Sequence, residues 1–265
     1  MTLIPYVAAG LLGLILGSFV NVVIYRGPAL WGLVGADRGA RGTLWGPRSK
    51  CPTCGDTIAA RDLIPILSYV ALGGKCRSCA AAIPVRYPLI EAFGAATVVL
   101  AALVFGFTLA GALAALFFLA LLALAGIDWE TGYLPEAITL PLIGAGLAAN
   151  LFDLYTDKVW ALIGAAAGYG GFFLIATAYR RLRGRDGLGL GDAALFAAIG
   201  AWGGWPVLAP AAFLGALFAL LALSARSALS GKPIDPLEAT PFGPALCAGG
   251  ALAFIASRTS LPWFA

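Results

Sequence analysis

The chain has 265 residues, enough for one or two domains, but 61% of them are hydrophobic and only 11% are charged. A water-soluble domain carries about a quarter charged residues, so this composition, with a mean hydropathy of +0.92, excludes an ordinary soluble globule and points to an integral membrane protein. The net charge is +4 and there is no histidine, so any acid–base chemistry has to run on carboxylates.

Judged against the roughly 20 apolar residues needed to span a bilayer, the candidate helices are residues 3–25, 88–105, 109–127, 134–152, 159–178, 193–202, 207–223 and 241–256. The expected fold is therefore an all-α polytopic membrane protein of about eight transmembrane helices. The sixth is short, and Gly203, Gly204 and Pro206 blur its boundary with the seventh. Residues 3–25 have no basic stretch before them and outrun a typical signal-peptide core, so they read as a retained first helix, interrupted only by Asn21.

Basic residues set the orientation. Arg26, Arg38, Arg41, Arg48, Lys50, Arg61, Lys75, Arg77 and Arg86 fall in the first loop on one side. Arg180, Arg181, Arg183, Arg185, Arg226 and Lys232 fall in later loops on that same side. Only Lys158 and Arg258 fall opposite, so fifteen of the seventeen basic residues share one face. That face is expected to be cytoplasmic, with both termini outside. The positive charge then reads as anchoring against anionic lipid, not as a nucleic-acid surface.

The first cytoplasmic loop is too small to build a self-sufficient apolar core. It holds two CxxC knuckles, Cys51 with Cys54 and Cys76 with Cys79, with Gly55 after the first and Gly73 and Gly74 before the second. Four thiolates at this spacing can close a tetrahedral zinc site, and the glycines let backbone amides turn toward sulfur. Two disulfides or four reduced core cysteines are the alternatives, and a reducing cytoplasm disfavours the first. With all four positions filled by protein, such a zinc would be structural. Cys247, inside the last apolar stretch, reads as a small buried apolar residue.

Asp128 closes the third apolar stretch, and Asp192 opens the sixth directly after Gly-Leu-Gly-Leu-Gly. A carboxylate at the edge of hydrocarbon is costly and marks a functional site by default. Two of them within reach of one water can share a proton, one acting as base and the other as acid. Asp192 could equally cap a helix, and Asp128 with Glu130 could form a solvated turn ended by Gly132 and Pro135. Glu130, Asp186, Glu136 and Glu91 are further acids near the same edges. The glycine run has no lysine or Ser/Thr of a P-loop, which removes a phosphate cradle.

Several stretches together resemble the type IV prepilin peptidases, bifunctional leader peptidases and N-methyltransferases of bacterial inner membranes. They are GSFVNVVIYRGP (17–28), CPTCGDTI (51–58), IPILSYVALGGKCRSC (64–79), IPVRYPLIE (83–91), AGIDWETGYLPEAITLPL (125–142), GLGLGDAALFAAIGAWGGW (187–205) and PFGP (241–244), in family order. The resemblance implies that Asp128 and Asp192 are the catalytic pair of a GxGD-type aspartyl protease. It also implies cleavage of a basic leader from prepilins or pseudopilins at the cytoplasmic face, followed by methylation of the new N-terminus with S-adenosylmethionine. The expected organisation is a first transmembrane helix (1–26), a cytoplasmic zinc domain held by Cys51, Cys54, Cys76 and Cys79 (27–87), and a membrane-embedded peptidase core (88–265).

Two departures stand out. Glu136 replaces an aspartate common after Leu-Pro, and Ala194 stands where a lysine is common after the second motif. Residues 29–47 match no family block. No residue can be read as binding S-adenosylmethionine, although Glu91 is placed to meet a cationic cofactor or an amine; as an alternative, it suits the first turn of its helix. A proton-coupled transporter would also carry intramembrane acids, but near the midplane, whereas Asp128 and Asp192 lie at helix ends. A general GxGD intramembrane protease would not need the cysteine domain.

Overall fold

The computed structural model describes residues 3–34, 41–184, 189–231 and 240–258. Among them the regular secondary structure is helical: α1 (Ile4–Leu30), α2 (Leu67–Ala71), α3 (Arg86–Phe105), α4 (Leu109–Thr131), α5 (Glu136–Asn150), α6 (Lys158–Arg183), α7 (Leu190–Gly203), α8 (Leu208–Ser230) and α9 (Gly243–Ala256). Every apolar stretch of the sequence becomes a helix, and the protein is all-α.

Five helical segments, α1, α3, α4, α6 and the run Trp205–Ser230 that contains α8, are long and apolar enough to cross a membrane. The other three are shorter than eight full spans would require: α5 has 15 residues, and α7 and α9 have 14 each. At 1.5 Å per residue, 14 residues reach about 21 Å, short of the roughly 30 Å hydrocarbon layer. For α7 the reason is its surroundings. Every residue from Ala193 to Gly203 is buried, so from its second turn onward the helix meets protein on all sides.

Helix ends also shift from the sequence expectation where polar groups find partners. α1 continues beyond residue 25 because the Arg26 guanidinium, 7% exposed, donates to the carbonyls of Thr43 and Pro47, both at 2.7 Å. Phe19 stacks on Trp45, so part of the segment without a family block folds back on α1. α4 runs past Ile127 to Thr131, and Gly132, at φ 70°, stops it by donating to the Asp128 carbonyl. Asp128 therefore lies in the last turn of a helix. α7 begins at Leu190, which makes Asp192 its third residue.

The chain forms two compact units, Met1–Ala123 and Leu124–Ala265. In the first, α1 lies along α3 with backbones nearly touching: a Cβ on Gly13 would fall 2.6 Å from the Gly94 carbonyl oxygen, and one on Gly17 would fall 2.8 Å from the Glu91 Cα. In the second, α5, α6 and α9 surround α7, and α8 packs on α9. Gly164 and Gly200 meet backbone to backbone, and a Cβ on Gly168 would lie 2.7 Å from the Phe196 carbonyl oxygen. These small residues serve close helix approach, the main source of packing energy where lipid removes the hydrophobic drive.

The C-terminal end of α7 is tied by one side chain. Asn150, fully buried, donates to the carbonyls of Ala201 (2.9 Å) and Trp202 (3.0 Å), and its Oδ1 accepts from the amides of Tyr155 (2.9 Å) and Thr156 (3.1 Å). It satisfies carbonyls that the helix end leaves orphaned. Asn150→Leu removes all four hydrogen bonds and should lower stability by roughly 4 kcal/mol or more, at about 1–3 kcal/mol per group left unpaired, as measured by denaturant unfolding in detergent.

Candidate active site

Both acidic positions of interest lie in the second unit. Asp128 is 5% exposed, and its Oδ2 accepts a hydrogen bond from the Gly243 amide at 2.9 Å. Gly243 opens α9, so an unpaired N–H of that helix start points at the carboxylate. A Cβ on Gly243 would stand 2.6 Å from Asp128 Oδ2, so a larger residue there forces the carboxylate to shift. Asp192, half-buried, reaches back so that its Oδ2 accepts from the Gly189 amide at 3.2 Å. This is the carboxylate half of a capping box; Gly189 has no side chain to return the bond. Gly191 allows the start of α7 to press on the connection after α4, since a Cβ there would fall 2.9 Å from Leu134 Cβ.

The charge of Asp128 acts on Asp192, so the two carboxylates share one electrostatic environment. Cys247, one turn into α9, feels both. Each carboxylate has one oxygen held by backbone and, among the described residues, no hydrogen bond on the other. Such an arrangement can hold a water between two acids. Glu130 and Glu136 are exposed, Glu91 belongs to the first unit, and Asp186 lies outside the described residues. Ala194 is buried at 5% exposure. The role of Gly243 was not read from the sequence, although its motif was noted. The available signal is a Gly-Pro pair opening a helix, but its partner is 115 residues away.

The first unit brings all four loop cysteines together, with sulfurs within 4.8 Å of one another and Cys51 Sγ 3.9 Å from Cys79 Sγ. A tetrahedral zinc with Zn–S bonds of about 2.3 Å needs sulfur separations of about 3.8 Å, so the donor set fits that ion. The two knuckles are copies of one device. Lys50 bridges Thr57 and Lys75 bridges Ala82, while the amides of Cys51 and Cys76 donate to the carbonyls of Asp56 (2.9 Å) and Ala81 (2.8 Å). The tight turn falls on Gly55 at φ 77° in one copy and on Ala80 at φ 56° in the other. Backbone amides of Cys54 and Thr53 point at the Cys51 sulfur and pull that thiol down to about 6. Arg77 in the second knuckle grips Asp62 through Nε (2.8 Å) and Nη2 (2.6 Å), which holds the Asp62 carboxyl below its ordinary value.

The fold and site define a polytopic helical membrane protein that carries a paired-carboxylate site and a four-cysteine module. Residues 11–105 match the Bacterial Peptidase A24 N-terminal domain, and residues 115–224 match the Type IV leader peptidase family. The chain belongs to the type IV leader peptidase family. Similar proteins carry the name prepilin leader peptidase/N-methyltransferase. The one from Burkholderia pseudomallei is 43% identical over 256 residues, covering 91% of this chain and 82% of the relative. Those from Pseudomonas aeruginosa and Neisseria gonorrhoeae are 40% and 38% identical, covering 92% and 94% of this chain and 88% and 90% of the relatives. No solved structure matches.

Ala80 holds a left-handed backbone that costs a non-glycine residue about 1 kcal/mol. Ala80→Gly should therefore make the module harder to strip with a chelator, and Gly55→Val easier. Zinc retained per chain, followed by atomic emission along a chelator titration, reads both changes.

Proposed function

We propose that the chain is an aspartic endopeptidase that removes the leader of type IV prepilins or pseudopilins and then methylates the new N-terminus. The observation that carries the peptidase reading is the Asp128–Asp192 pair. Its two carboxylates act on each other, and each is held by one backbone amide. Fixing one oxygen of each acid leaves the other two free to hold the attacking water. Two interacting carboxylates lower their repulsion by sharing a proton, so one carboxylate takes a proton from water while the other donates to the scissile carbonyl. Collapse of the tetrahedral intermediate then sends a proton to the departing amine, and the pair returns to its starting state. The titration belongs to the dyad and not to either residue.

The charge asymmetry of the loops supports a multi-pass inner-membrane protein with its site on the cytoplasmic side and both termini outside. Cys51, Cys54, Cys76 and Cys79 are the residues that would hold a structural zinc, which would fold the loop without joining the hydrolysis. S-adenosylmethionine supplies the methyl group in this reading. A regulatory-loop transporter is disfavoured because both acids sit in terminal helical turns.

Asp128→Asn and Asp192→Asn should each abolish prepilin cleavage by purified protein while leaving the melting temperature near that of the parent. Robust cleavage by either variant would overturn the assignment. Gly243→Ala pushes a methyl group into the Asp128 carboxylate and removes its fixed position. A displacement of this kind costs about 10²-fold in kcat, which a steady-state cleavage assay at saturating prepilin measures.

A further inference from the structure

The loop between α1 and α3 carries a run that a water-exposed domain would not show. Residues 63–74, Leu-Ile-Pro-Ile-Leu-Ser-Tyr-Val-Ala-Leu-Gly-Gly, hold no charge. Ser68, Tyr69 and Leu72 of this run line a cavity of about 330 Å³ between α1, α2, the start of α3 and the cysteine module. Leu67 and Val70, one helical turn apart on α2, take no part in that wall and are each 69% exposed. Large apolar side chains grouped on the outside of a loop mark a surface that meets something other than water.

Two contacts fix the depth of this surface. The Ile66 amide, just before α2, donates to Glu91 Oε2 at 2.8 Å, and Glu91 is the sixth residue of α3, one of the helices able to cross a membrane. Side chains on a helix lean toward its start, so Ile66 lies beside the first two turns of α3. There Val85, Leu89 and Phe93, spaced four apart, are each more than half exposed, and on a spanning helix such a stripe faces acyl chains. The second contact is Trp45, 88% exposed, which stacks on Phe19 of α1 with ring centroids 5.6 Å apart. Phe19 is two residues from Gly17, which packs on Glu91 itself, so both contacts fall at one level of the helix pair. Arg61 and Lys75, both exposed, bracket the uncharged run. Cations beside an apolar insertion suit the phosphates above an acyl layer.

We propose that the cysteine module is docked on the bilayer, with Leu67, Val70 and the Trp45 ring immersed in the adjoining leaflet and Arg61 and Lys75 at its phosphates. The occupant of this surface is phospholipid and not a protein partner, because the surface is level with the lipid-facing stripe of α3 and is framed by cations. Docking also supports a strained turn. Ile66, a β-branched residue, adopts φ 59°, and the Leu67 amide donates to the Pro65 carbonyl at 2.6 Å. Glu91 holds this turn from the cavity side, and immersion of Leu67 and Val70 holds it from the lipid side.

Full-length protein in nanodiscs of phosphatidylglycerol and phosphatidylcholine is irradiated with a phospholipid that carries a diazirine high on one acyl chain, and the adducts are mapped by mass spectrometry. Adducts should fall on residues 63–72 and on Trp45 as well as on Leu89 and Phe93. Leu67→Asn combined with Val70→Asn should cut the adducts within residues 63–72 about ten-fold, while Phe93 keeps its label and the melting temperature stays near that of the parent. A photoactivatable leucine analogue in place of Leu67, which leaves the side chain close to its native shape, should crosslink to phospholipid. Adducts on Leu89 and Phe93 with none on residues 63–72 or Trp45, parental labelling in the double variant, or crosslinks from position 67 to a second copy of the chain or to another protein would each overturn the proposal.

Discussion

Burial of α7 is the constraint from which the second unit follows. A helix with protein on every side cannot keep large side chains on all faces, and from Ala193 onward it alternates alanine and glycine with a few bulky residues. Gly200 meets Gly164 on α6, Gly146 on α5 leaves room for Trp202, and Gly250 on α9 leaves room for Ile199. Its carbonyl end cannot be solvated, so Asn150 supplies the missing donors and Trp202 Nε1 bonds the Leu142 carbonyl at 2.8 Å. A helix clamped along its length and tied at its far end has a fixed start. That start carries Asp192.

Glycine has two separate uses around the acid pair. Gly191 removes bulk where α7 meets Leu134, which links the second aspartate motif to the loop of the first. Gly243 removes bulk where α9 meets Asp128 and offers its amide in place of a side chain. A backbone donor has no rotamer to fluctuate and no charge to titrate. It fixes a carboxylate without neutralising it, which a lysine or arginine would do. The buried Ala194 adds no charge beside the pair.

Much of this was legible along the chain. Eight apolar stretches gave eight apolar helices in order, because burial in lipid or protein demands the same residue types. The paired CxxC spacing led to four clustered sulfurs, because the knuckle is a local device whose hydrogen bonds span only a few residues. What could not be read depends on distant partners. The length of α7 is set by enclosure, the extension of α1 by carbonyls at Thr43 and Pro47, and the hold on Asp128 by an amide on the last helix. Ala80 was equally hidden: its left-handed turn is legible only by aligning the second knuckle on the first, where glycine occupies that place.

Asp128 and Glu91 illustrate how neighbours decide what a buried carboxylate does. Both are nearly inaccessible, and both accept a backbone amide at 2.8–2.9 Å. Asp128 faces a second acid, and two like charges in a confined space lower their energy by sharing a proton, which suits water activation. Glu91 lines a cavity together with the unpaired Asn21 carbonyl and the rings of Tyr69 and Tyr87. A proton on Glu91 removes its charge but leaves the Asn21 carbonyl without a donor among the described residues. The same backbone clamp therefore holds one carboxylate in reach of a second acid and the other in a cavity that also holds an unpaired amide carbonyl, and the difference lies in the second polar group near each.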